Sequence, residues 1–169
     1  GDVDEATKAL RAKGLADAGK RAGRDANEGI VDSYIHMGGR VGVLIEVNCE
    51  TDFVARNDDF KEFVHDVALH IAAMKPQYVS ADDVPEEIRA AERDVFTAQS
   101  QDIPEVAREK AIEGRLAKRL KEFALLDQEF VKDVGEKSPR TIEDLRVEAA
   151  AKLGENVAIR RFSVFELGG

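Results

Sequence analysis

One cysteine, three histidines and a dense scatter of acids are the residues of this 169-residue chain whose side chains could do chemistry. Cys49 near a histidine would imitate a thiol nucleophile with its base. It closes the apolar run from Val41 to Val47, however, and such a position buries a thiol rather than activating it. His65 and His70 are five residues apart on a helical pattern, so they point ~140° from each other. The paired-histidine zinc face needs a spacing of four, and both read as structural. His36 reads as an exposed strand-end residue, and no Cys/His set exists for zinc. Gly38, Gly39 and Gly42 neither sit between a strand and a helix nor end in Gly-Lys-Ser/Thr, so no bound nucleotide is expected. These patterns predict no catalytic residue, metal or cofactor. What stands out is Asp52 beside Phe53, a carboxylate and a bulky ring on a short strand-to-helix connection. Such a ring is either stapled onto its own helix or offered to a partner, and the pattern alone favours the staple.

The elements around that pair are legible. Val41, Val43, Ile45 and Val47 alternate with Gly42, Leu44, Glu46 and Asn48, the period of a strand. Gly29 to Met37 alternates likewise, and Gly38-Gly39 suits a tight primed turn between the two. Asn57-Asp58-Asp59 supplies an N-cap and two first-turn acids to a helix with the stripe Phe60, Phe63, Val64, Val67, Ala68, Ile71 and Met74, stopped at Lys75-Pro76. From Val79 to Leu126 the spacing predicts a helical hairpin. Pro85 opens its first helix, with Ile88, Ala91, Val95 and Phe96 as the apolar side. Asp102 caps its second, with Val106, Ala111, Leu116, Leu120, Phe123 and Ala124. Thr141 caps a helix carrying Ile142, Leu145, Ala149 and Leu153, closed by Gly154. The last strand runs Val157 to Leu167, with Val157, Ile159, Phe165 and Leu167 on one face and Phe162 and Val164 on the other.

Toward the N-terminus two short helices are expected. One runs from an Asp2 cap through Val3, Ala6, Leu10 and Arg11 to a Gly14 C-cap, and the other from Leu15 to Ala26. Lys20, Arg21 and Arg24 form a basic stripe, but Asp17, Asp25 and Glu28 lie among them, so a solvated face is the plainer reading. A lone helix of ~12 residues is marginal in water, which assigns the first to a bundle with members elsewhere. The sequence opens at Gly1 rather than Met, which leaves upstream residues open.

Composition limits the partners. With 35% charged residues and a net charge of −9, the chain is poorly suited to neutralising a phosphate backbone. No apolar run approaches the ~18 to 20 residues that span a bilayer. A single cysteine precludes an internal disulfide and suits a reducing cytoplasm. The expected fold is α+β: a three-stranded antiparallel sheet packed by helices, with a helical-hairpin arm.

The run Thr51-Asp52-Phe53-Val54-Ala55-Arg56-Asn57, followed by Phe60, closely resembles the signature of translation elongation factor Ts. Further matches are Tyr78-Val79-Ser80, Glu113-Gly114-Arg115-Leu116, Phe130-Val131-Lys132-Asp133, Gly154-Glu155-Asn156-Val157, and Arg160-Arg161-Phe162 with Phe165-Glu166. The resemblance implies a cytoplasmic, non-enzymatic guanine-nucleotide exchange factor acting on elongation factor Tu. In that family the Asp-Phe pair contacts the GTPase, the ring inserts between helices, and the magnesium and phosphate contacts of the nucleotide loosen. Carried over, the role falls to Asp52 and Phe53, with Thr51 and Val54 holding the loop. The resemblance also implies that residues 1–28 hold the last helix of a ubiquitin-associated-like domain plus a linker helix. Residues 29–169 would form the core, with the hairpin at about 80–126. Room for one core subdomain, where many relatives carry two, predicts a homodimer. The bland alternative is an acidic scaffold domain with Phe53 as an ordinary staple.

Overall fold

The computed structural model describes residues 3–169, apart from the side chains of Val3, Asp4, Thr7, Lys8, Arg11 and Leu15. The chain divides into two compact units, residues 1–75 with 129–169, and residues 76–128.

In the first unit, β1 (Glu28–Ile35), β2 (Val41–Cys49) and β3 (Ala158–Glu166) form an antiparallel sheet in the order β1-β2-β3. This is the α+β, three-stranded architecture expected. The alternation of β2 carries through: Val43, Ile45, Val47 and Cys49 are buried while Leu44 is exposed. Gly38 and Gly39 make the turn at φ 87° and 66°, conformations that strain other residues. Helix α3 (Asp58–Met74) follows, the Asn57 side chain accepting from the Asp59 N–H at 2.8 Å. It lays Phe60, Phe63, Val64, Val67, Ala68 and Ile71 in the core and packs on β1 and β2. Met74 departs from the expected stripe and is exposed, because Lys75 turns into the left-handed region (φ 49°) and the helix stops there. His70 is buried, its Nδ1 accepting from the Val131 N–H at 3.1 Å beside the Phe130 ring. Helix α6 (Ile142–Leu153) has the expected Thr141 cap, here a capping box with Asp144, and ends at Gly154 with φ 75°.

Two expectations in this unit are corrected. A single helix, α1 (Val3–Arg21), replaces the two short ones. Gly14 lies inside it, where an added Cβ would come within 3.0 Å of Val147 Cγ1 on α6. The glycine therefore serves the close approach of α1 and α6, not a C-cap. The expected Asp2 cap lies outside the described residues, as do the side chains of Val3, Arg11 and Leu15. The second correction is in β3. Glu46 pairs with Arg161 while Val47 pairs with Ile159, so Arg160 is an extra residue in the strand. This bulge flips the alternation: Ile159 joins Phe162 and Val164 on the buried side, and Phe165 stands on the opposite face across from Gly42.

The second unit is a helical hairpin of α4 (Glu86–Ala98) and α5 (Glu105–Phe123). Gln77 and Tyr78 both donate their N–H to the Phe123 carbonyl, which ties its two ends. Val84, Leu116, Leu120 and Phe123 form the core, with Tyr78, Ala81 and Phe96 packed against them. Here too the expected stripes shift. Asp102 caps nothing; Pro104 occupies the N-cap position, and Arg108 reaches back to the Gln101 and Ile103 carbonyls. Val106 is 99% exposed and Ile112 is buried in its stead. The buried line steps by four through Ile112, Leu116 and Leu120, and Val106 falls off it. Helix α4 meets α5 through Phe96 and through charged pairs, Arg93 with Glu109 and Glu113 and Glu92 with Arg119, leaving Ile88, Ala91 and Val95 on the surface.

Candidate functional site

Residues 50–56 connect the end of β2 to the cap of α3. Within them α2 (Asp52–Ala55) is one helical turn, and Thr51 is its N-cap, the hydroxyl oxygen accepting from the Val54 N–H at 3.3 Å. A turn this short holds together only if its ends are fixed from outside. Two carboxylates do this by crossing between neighbouring segments. Glu155 Oε2 accepts from the Glu50 N–H at 3.0 Å and the Thr51 N–H at 3.1 Å, while its Oε1 accepts from the Thr51 hydroxyl at 2.6 Å. In return, Glu50 Oε1 accepts from the Asn156 N–H at 2.6 Å. Asn156 is buried and donates its side-chain amide to the Arg24 carbonyl at 3.0 Å. The Thr51 carbonyl accepts from the Ala55 N–H and from Cys49 Sγ, each at 3.2 Å. Every polar group of Thr51 therefore has a partner.

The turn divides its residues sharply. Val54 and Ala55 are buried and seat it on the sheet and α3. Asp52 is exposed and paired with Arg56 at 2.5 Å, one turn on. Phe53 is 78% exposed. A ring so open to water is not stapled against its own helix, and an exposed aromatic on a fixed base is the kind of anchor that protein interfaces use. The four expected residues thus sit together with distinct placements: Thr51 tied, Asp52 and Phe53 facing out, Val54 facing in.

Cys49 lies under this turn, fully buried. Burial, reinforced by the Glu155 charge, pushes its thiol up to about 11, so it stays protonated and unreactive near neutral pH. Among the described residues no three His, Cys, Asp or Glu side chains come together to hold a metal ion. No described helix is long and apolar enough to cross a membrane.

Glu155 and Asn156 stand in a run that resembles the family, but nothing in the sequence ties them or Glu50 to the turn. The signal that would find them is strand pairing. Asn48 lies opposite Ala158, so residues just before β3 must face residues just after β2. A Glu-Asn pair placed there meets free backbone N–H groups.

The family model described as Elongation factor TS matches residues 19–138. This chain belongs to the elongation factor Ts family. The Elongation factor Ts of Moorella thermoacetica is 52% identical over 99% of this chain and 82% of its own length. Its counterpart from Carboxydothermus hydrogenoformans is 52% identical over 99% of the chain and 76% of its own. That from Alkaliphilus metalliredigens is 55% identical over 99% and 77%. The chain is thus a relative of translation elongation factors along nearly its whole length.

Proposed function

We propose that this elongation factor Ts family chain acts in the cytoplasm to release GDP from elongation factor Tu, with Asp52 and Phe53 as the contacts that drive release. The observation that carries this reading is Phe53, an exposed ring on a turn whose base is tied at every polar atom of Thr51. No covalent bond changes in such a process, so no catalytic side chain is needed. An exchange factor couples two binding equilibria. If it binds the empty GTPase more tightly than the loaded one, it must weaken nucleotide binding by the same factor. A ring entering between two helices of the GTPase would displace them from the nucleotide, and the magnesium and phosphate contacts would loosen. Asp52 would add a polar contact beside the wedge, while Thr51 and Val54 hold it in place. Mixing the chain with elongation factor Tu carrying a fluorescent GDP tests the reading. Release should accelerate with added chain, and no acceleration at saturating chain would refute it.

The same proposal includes a homodimer. The sheet face opposite α3 leaves Val31, Ile35, Leu44 and Phe165 exposed, and a second copy laying the same face on this one would cover them. Light scattering should give twice the chain mass at micromolar concentration, and a monomer there would remove the dimer.

A further inference from the structure

We infer that Glu155 is the positioning residue for the exchange turn, an inference that rests on the proposed role of Phe53. Glu155 lies 104 residues from Thr51 in sequence, yet its carboxylate takes both backbone N–H groups that lead into α2 and the hydroxyl that caps it. No other described side chain makes a hydrogen bond to the N–H of Glu50 or Thr51. The Glu50 carboxylate returns the grip onto the Asn156 N–H, so residues 50–51 and 155–156 hold each other by side-chain-to-backbone bonds in both directions. Phe53 has no comparable support of its own, since it is exposed and only Val54 and Ala55 are seated in the core. The direction in which the ring projects is therefore set on one side by Val54 and Ala55 in the core and on the other by Thr51, and Glu155 fixes Thr51. A pre-set ring needs no ordering when it meets its partner. Without Glu155, two backbone donors and a hydroxyl turn to water and the one-turn helix loses its anchored start.

This role differs from general support of the fold. The remaining surface of the chain still docks without Glu155, but the ring arrives in many directions. The maximal rate of nucleotide release should fall, while the concentration of chain giving half that rate moves little. A partly unfolded protein behaves in the opposite way, because adding more of it restores the rate.

The test measures release of fluorescent GDP from elongation factor Tu against increasing chain, for Glu155→Ala, Glu155→Asp and Glu155→Gln, with Phe53→Ala alongside. Glu155→Ala and Glu155→Asp, the latter one methylene too short, should lower the maximal rate about tenfold. Glu155→Gln keeps an oxygen in reach of both N–H groups and should stay within about threefold. Amide hydrogen exchange supplies a readout independent of the partner: the Glu50 and Thr51 amides should lose protection in Glu155→Ala while those of α3 keep theirs. Should Glu155→Ala fold poorly, Thr51→Val removes the hydroxyl from the other side of the clamp and should lower the maximal rate in the same way, with Thr51→Ser restoring it. A full maximal rate in Glu155→Ala alongside a slowed Phe53→Ala overturns the positioning role alone. Full rates in both overturn the reading of the turn itself.

Discussion

Phe53 and Phe60 are the same residue type seven positions apart, yet one is 78% exposed and the other 0%. Phe60 belongs to a helix long enough to present a periodic stripe, and the sheet beneath α3 decides where that stripe goes. Phe53 belongs to a single turn with no periodicity to obey. It sits on a turn seated by Val54 and Ala55 and tied at Thr51 by Glu155, so its own burial does not place it. A hydrophobe in a long element is placed by burial, whereas one in a short, externally clamped turn can be held in water. The contrast separates residues kept for the fold from residues offered outward.

The largest effect expected from testing this contrast falls on Phe60. Phe60→Ala empties a site inside the core, and such changes cost ~3 to 5 kcal/mol. For a chain of this size that corresponds to a melting temperature lower by roughly 10 °C. Calorimetry would report it, and nucleotide release per folded molecule should be unaltered.

Phe53→Ala should do the reverse. An exposed ring contributes little to the native state, so stability should stay within about 0.5 kcal/mol. The maximal rate of release from elongation factor Tu should fall at least tenfold, equivalent to ~1.4 kcal/mol of coupling. If the two substitutions destabilise the chain equally and leave exchange per folded molecule intact, the contrast is broken and the ring is a staple.

The sequence made Phe60 far easier to place than Phe53. Helix α3, strand β2 and the Thr141–Gly154 helix are legible because cap, stripe and stop agree within one segment. What the sequence hid depends on a second segment. Gly14 has the signature of a C-cap, and only the approach of Val147 shows why a glycine sits mid-helix. The bulge at Arg160 cannot be seen in β3 alone, because strict alternation looks equally acceptable in either phase until β2 sets the register. In the hairpin, the spacing places Val106 inside where the structure buries Ile112, since two helices that cover only one narrow side of each other leave the choice of side to their partner. At the candidate site, Thr51, Asp52, Phe53 and Val54 are singled out by the family signature that their run resembles. Glu155 shows no such signal of its own, because its bonds to Glu50 and Thr51 exist only once β3 lies beside β2.

Asp52 gives the smallest and most discriminating effect. Its carboxylate is exposed and, among the described residues, bonded only to Arg56 one turn later, and such pairs contribute about 0.3 to 0.5 kcal/mol. Asp52→Ala should therefore leave the melting temperature almost unmoved. Nucleotide release should slow roughly threefold, equivalent to about 0.65 kcal/mol and less than for Phe53→Ala, because a polar contact is lost and the wedge remains. The ion pair itself offers a rival explanation, since it also braces the turn. Arg56→Ala breaks the same pair while leaving the carboxylate free to meet a partner. If Asp52 acts by contact, Arg56→Ala should slow release less than Asp52→Ala does. If the two slow it equally, Asp52 only braces the turn, and the outward-facing contact narrows to Phe53 alone.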